Sequence, residues 1–416
     1  MNTIKPYLKF KMLAVLMWSF ACGLPLLLTT TTLATRLAQN NISMEIIGLF
    51  GLATLAYAGK YFLTPLMELI SIPFLQSRLG RARSWMLLMI PLIMLGFEVI
   101  GYLAPTAENI PILFAIVVIV VLFSSIMDIA EAEYRIELME ADEFAYGVAC
   151  YTAGYRLGMI TGGGIALLLA YYDGWQFSYH CMALCMLIAI PAILLQKHKY
   201  YPQAAIKKSL LSIYLDPVMD IMKRPYALSL LALVATYNYA ESLLLLIVNP
   251  FLLQAGFTLA EIGIWQGSFG GVFALMGSLF AGIINTRINF IRTLDICAIL
   301  YASINLVFIP LTMLGNHSFA HYLFYLQSII SNLILGVSTA AFGMLIASQS
   351  QRPYTASQNA FLTSVMAAAK MLLMSVSGLL IYQLHYLSFF IFIFMLLPCL
   401  LLLLKRYQRV IGNSLS

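Results

Sequence analysis

From residue 12 to residue 404 the chain is a succession of apolar runs, each about 20 residues or longer, separated by short polar turns. A helix rises 1.5 Å per residue, so a run of about 20 residues matches the hydrocarbon thickness of a bilayer. The runs fall at 12–35, 46–68, 85–104, 110–132, 144–171, 175–196, 225–251, 258–284, 293–315, 320–349, 355–383 and 386–404. Hydrophobic residues make up 62% of the chain and charged residues 10%, against about 25% charged in soluble domains. No soluble interior hides that much apolar surface. In lipid every backbone polar group must be satisfied within the spanning structure, which leaves helices for runs of this length. The expectation is an all-α membrane protein of twelve transmembrane helices.

The longest polar stretch, 197–224, divides the runs six and six. It predicts an N-terminal six-helix bundle over 1–200, a connecting loop over 201–224 and a C-terminal six-helix bundle over 225–416. The basic start, MNTIKPYLKFK, followed by an apolar run, imitates a signal peptide. No small-residue cleavage site follows it, and Gly23, Pro25 and Thr29 to Thr32 interrupt the run, so an uncleaved first span is expected.

Charge placement orients the spans. The net charge is +6, and a basic balance can signal nucleic acid. Here the cations sit in short turns, which signals topology and no nucleic-acid partner. Of the 23 Lys and Arg, only Arg36 lies in a turn on the far side, and Lys60, Arg156 and Lys370 lie inside spans. The remainder share the side of both termini, which the positive-inside rule makes cytoplasmic. Glu137 to Glu143 form an acidic exception among those turns. Of six cysteines, Cys181 and Cys185 share a helix face without His or carboxylate companions, so no metal site is expected. Five histidines occur singly, and no Ser/His/Asp pattern points to an enzyme or a cofactor. Gly162 to Gly164 lie in a span and lack the Lys-Ser/Thr of a phosphate loop.

The informative residues are the charges left inside. One at the bilayer centre costs about 2.5–3.5 kcal/mol even on a lenient insertion scale, so it faces a cavity or a partner. Gly154, Gly158 and Gly162 fall four apart and share one helix face, open to a close neighbour. Arg156 lies roughly 200° round the helix from Gly154. Lys60 shares a polar stripe with Tyr57, Tyr61 and Thr64, and is either a cavity cation or half of an ion pair. Arg156 is either an anion-binding or gating cation or the partner of a carboxylate. Asp128, about a turn before the end of its span, is either a helix-end carboxylate paired with basic turns or a proton carrier. Glu241, on a face with Tyr237 and beside Asn238, is either the coupling acid or a structural pair; an apolar setting favours its protonated form. Glu98 has no polar companions at helical spacing.

A basic turn recurs after the second span of each half: Glu68 with Arg78, Arg81 and Arg83 in one, and Gly282, Asn285, Arg287 and Arg292 in the other. Six plus six spans with this turn resemble the major facilitator superfamily, which implies two bundles rocking about a central site. CGLPLLLTTTTL, AYAGKYFLTPLME, MDIAEAEYR, GYRLGMITGGG, TYNYAESL and YTASQNAFL, in this order, resemble its AmpG-type muropeptide permeases, relatives of acetyl-coenzyme A transporters. The branch usually carries a second acid where Ala132 stands, an Asp where Glu241 stands and an Arg where Lys370 stands.

The resemblance implies proton-coupled import of anhydro-muropeptides across a bacterial inner membrane for cell-wall recycling. The partners are then an anionic glycopeptide, protons and membrane lipids. Lys60, Arg156, Lys370, Tyr57 and Tyr237 would meet the solute, and Glu241 or Asp128 would carry the proton. Glu68, Arg78, Arg81, Arg83, Glu131 and Arg135 would form a cytoplasmic gate. Ala132 motivates the alternative of another anionic solute, such as an acyl-coenzyme A or a nucleotide-like metabolite. A receptor or scaffold is disfavoured by turns too short for a standard interface.

Overall fold

The computed structural model describes residues 9–70, 72, 75–140, 143–195, 210–315, 317–350 and 355–415. Among these residues there is no strand. Nine helical stretches among them are long and apolar enough to cross a membrane, and a shorter apolar helical segment spans Met44–Ala58. Two of the nine, Tyr146–Leu194 with 49 residues and Ser357–Val410 with 54, are far longer than the roughly 20 residues of one crossing. Each turns back at one residue of positive φ: Gly174 (φ 86°, ψ 168°) and His385 (φ 56°, ψ 166°). The expected turns after 171 and after 383 fall there. The same backbone turn in both halves of the chain is a structural trace of the internal repeat.

The chain divides into two compact units. The first comprises Met1–Ile42, Phe62–Ala205 and Thr258–Ser268; the second comprises Ser43–Tyr61, Ile206–Phe257 and Phe269–Ser416.

In the first unit the helix Phe10–Leu28 lies along Phe144–Ile160. The glycine face explains the approach: a Cβ on Gly154, Gly158 or Gly162 would run into the carbonyls of Leu16, Phe20 and Leu24. Pro25 lacks an N–H and weakens the end of the first helix. The hydroxyls of Thr29 and Thr30 donate to the carbonyls of Pro25 (2.7 Å) and Leu26 (2.6 Å), and the helix resumes at Thr31–Gln39. Arg36, the exception to the charge asymmetry, is buried and donates to the carbonyls of Ile100, Gly101 (3.1 Å) and Leu103 (3.0 Å). It caps the end of Arg81–Tyr102, where a cation also meets the negative pole of the helix. The TGGGI segment, Thr161–Ile165, is a π-helical turn packed on a second one, Gly263–Phe269.

In the second unit Met44–Ala53 packs on the long Thr355–Met395 helix, with Gly48 against Gly378 in backbone contact. The expected span 46–68 is not one helix. It breaks at Thr54, whose hydroxyl bonds the Gly51 carbonyl at 2.6 Å, and again at Gly59. Lys60 therefore opens a new helix, Lys60–Leu69, instead of sitting mid-helix. The expected span 225–251 is likewise segmented into Ala227–Thr236, Tyr239–Leu244 and Val248–Gln254.

Candidate functional site

The second unit holds an ion pair inside its apolar helices. Lys370, on Thr355–Met395, donates to Glu241 Oε1 at 2.5 Å. Their side chains are 25% and 18% exposed, so the pair is neither dry nor open. Glu241 sits in the first turn of Tyr239–Leu244, just past the interruption at Tyr237 and Asn238. The positive pole of that short helix favours a carboxylate there. Irregular backbone at this depth is tolerated where protein or a cavity satisfies it. A small open cavity of about 30 Å³ lies there, lined by Tyr237, Asn238, Glu241, Cys297, Tyr301 and Ser338 among others. Tyr237 is fixed: it stacks on Phe342 with centroids 4.8 Å apart, donates to the Leu294 carbonyl (3.1 Å) and hydrogen-bonds Ser338 (2.8 Å). Lys60 stands over the Tyr57 ring, 5.3 Å from its centroid.

In the first unit Arg156 is half-buried and makes no hydrogen bond or ion pair among the described residues. The glycine face holds its helix against Phe10–Leu28, as the spacing requires. Asp128 and Glu131 are both buried.

Of the residues expected at the gate, Arg81, Arg83, Glu131 and Arg135 meet around the end of Ile110–Leu138. Arg81 donates to Glu133 through Nε (3.0 Å) and Nη2 (2.5 Å). Glu131 accepts from Trp18 at 3.4 Å and lies 3.6 Å from Arg135, whose guanidinium covers the Tyr151 ring. Arg83 bonds the Leu79 carbonyl at 2.6 Å and stands over Tyr134. Arg78 lies in the last turn of the short helix Leu75–Leu79. The side chain of Glu68 lies outside the described residues.

Sequence reasoning missed several partners. Glu143, buried, accepts from Lys9 at 2.5 Å and from Lys11. The lysines, Lys11 foremost, hold its carboxyl below the usual carboxylate range. In the second unit Asp220 accepts from Arg224 (2.9 Å) and Gln358 (2.6 Å). Arg224 likewise holds the Asp220 carboxyl below its ordinary value. Glu98 meets His180 Nδ1 at 2.7 Å. Apart from the i,i+4 contact of Asp220 with Arg224, these partners lie 82 or more positions apart, beyond the reach of helical spacing.

Comparison with known proteins agrees with this architecture. A Major Facilitator Superfamily model matches residues 12–340. The anhydromuropeptide permease of Escherichia coli (strain K12) is 30% identical over 410 residues, covering 97% of this chain and 82% of its own. A transporter named AmpG 4 of Rickettsia conorii is 27% identical over 418 residues, covering 99% of this chain and all of its own. Among solved structures, the nucleoside transporter NupG superposes with TM-score 0.71 at 13% identity, covering 96% of this chain and 99% of its own. A POT family transporter in complex with 5-aminolevulinic acid gives 0.74 at 11% identity, covering 96% of each chain. The chain belongs to the major facilitator superfamily, on its branch of AmpG-type muropeptide permeases, and is a multi-pass membrane transporter.

Proposed function

We propose that this transporter imports anhydro-muropeptides from periplasm to cytoplasm across a bacterial inner membrane, driven by protons, with both termini cytoplasmic. The observation that carries the coupling mechanism is the Lys370–Glu241 pair, 2.5 Å long and partly exposed inside apolar helices. A proton arriving at Glu241 turns the carboxylate into a neutral acid, so the pair opens and the Lys370 ammonium is released to a solute carboxylate. Release of the solute lets Lys370 return, which expels the proton on the other side. Arg156, with no ion pair among the described residues, supplies a second cation. Lys60 with Tyr57 adds a cation and an aromatic surface. Asp128 remains the second candidate for the proton. The arginines and acids around Arg81, Arg83, Glu131 and Arg135 act as the cytoplasmic gate.

The two halves, 1–200 and 225–416, are the moving bodies. Contacts such as Gly48 on Gly378, and the π-helical turns at Gly164 and Gly267, join segments of opposite halves. The solute class is that of the Escherichia coli relative.

Uptake of labelled anhydro-muropeptide in cells lacking other permeases tests the assignment. Arg156→Ala removes a charge-assisted contact worth about 1.5–3 kcal/mol, so uptake efficiency falls roughly 10- to 100-fold. Excess coenzyme A leaves wild-type uptake unchanged. Uptake retained in Arg156→Ala would remove Arg156 from the site. Competition by coenzyme A would shift the solute class to acyl carriers.

A further inference from the structure

The cavity beside Glu241 opens onto a polar string that the ion pair does not use. Tyr301 lines the same cavity as Glu241. Asn305, one turn further along Phe290–Asn305, donates to the Tyr301 carbonyl at 2.7 Å and accepts from Gln327 Nε2 at 3.0 Å. Asn305 and Gln327 are 6% and 2% exposed. Phe290–Asn305 leads through Phe308–Leu314 to Gly315, and Ser318–Gln349, which carries Gln327, begins just beyond it.

Two details mark the string as more than packing. Gln327 Oε1 is buried with no hydrogen-bond partner among the described residues. An acceptor in that position is satisfied by ordered water. Helix interruptions also fall at both ends of the string, at Tyr237–Asn238 beside Glu241 and at Leu306–Val307 beside Asn305. Such breaks belong where backbone meets protein polar groups or water.

We propose that Tyr301, Asn305 and Gln327, with water held at the Gln327 amide, form the route by which protons reach Glu241 from the Gly315 end of the second unit. The proposal rests on Glu241 being the proton carrier. The two amides order the water. The water gives a proton to the Tyr301 oxygen while the Tyr301 hydroxyl proton passes to the Glu241 carboxylate, and bulk solvent restores the water. Tyr301 ends as it began, and the net change is one proton on Glu241. The other titratable groups at Glu241 are its partner Lys370 from Thr355–Met395 and, lining the same cavity, Cys297 from Phe290–Asn305 and Tyr237 and Tyr239 from its own span, the Tyr239 hydroxyl being held by the Ile393 carbonyl. The Tyr237 hydroxyl is already committed to Leu294 and Ser338.

Proteoliposomes give the test through two readouts: net uptake of labelled anhydro-muropeptide under an inward proton gradient, and solute counterflow, which requires no net proton movement. For Tyr301→Phe and Gln327→Met the expected result is net uptake reduced by about tenfold or more, with counterflow within about twofold of wild type. Wild-type net uptake in both variants overturns the route. So does a matching loss of counterflow, which marks a structural role. Glu241→Gln separates the underlying assignment: if it keeps gradient-driven uptake, the carrier is another group and the route falls with it.

Discussion

Charged residues in this chain are few enough for each to be given a physical account. Arg36 is held by three carbonyls and two aromatic rings, Trp175 and Tyr179, and closes a helix end. Glu143 lies outside the apolar spans, so ordinary titration applies to it. Lys11 and Lys9 lower its carboxyl, and a group lowered in the folded state stabilises wherever it is ionised. That contribution is full above about pH 4.3, the ordinary Glu value, and is lost as pH falls through the lowered folded value. Thermal unfolding in detergent across pH is therefore expected to separate wild type from Glu143→Gln at neutral pH and bring them together in acid. A gap that persists unchanged below pH 4 would assign the effect to packing and not to charge. Such a pair was illegible in the sequence, because nothing in the local pattern ties residue 143 to residues 9 and 11. By contrast, the cations inside spans stood out at once, since an apolar background makes each of them costly.

At the scale of helices, periodicity was the legible quantity. The four-residue spacing of Gly154, Gly158 and Gly162 identified the face that receives the first helix, and the backbone contacts fall there. The breaks were not legible. Hydropathy averages over Thr54, Gly59, Tyr237 and Asn238, which remain apolar enough in aggregate to read as continuous spans, while their local hydrogen bonding decides otherwise. The two hairpin turns sharpen the point, because one backbone shape is met by Gly174 in one half and by His385 in the other. For a residue with a side chain, that region of φ and ψ costs about 1–3 kcal/mol. Replacing it with glycine gives back only about 0.5–1 kcal/mol in unfolded-chain freedom. His385 is exposed, so little packing is lost. His385→Gly is expected to stabilise the protein by about 1 kcal/mol, seen as a higher unfolding midpoint in detergent. A lower midpoint would show that the histidine side chain contributes more than its backbone costs.

For the molecule as a whole, length, apolar runs and charge asymmetry were enough to indicate the class, because a bilayer admits few solutions to the backbone hydrogen-bond problem. What one dimension could not supply was which ionised groups meet. Lys370 and Glu241 come together across 129 positions, whereas Arg156 keeps clear of any ion pair among the described residues. In the proposed mechanism a proton opens that pair and a solute carboxylate replaces Glu241, which would make transport obligatorily coupled. The direct measurement is uptake of labelled anhydro-muropeptide into proteoliposomes holding the purified transporter, with an imposed pH gradient, acid outside. Accumulation above the external concentration is expected, collapsing to equilibration when a protonophore is added. Accumulation that ignores both the gradient and the protonophore would contradict the claim.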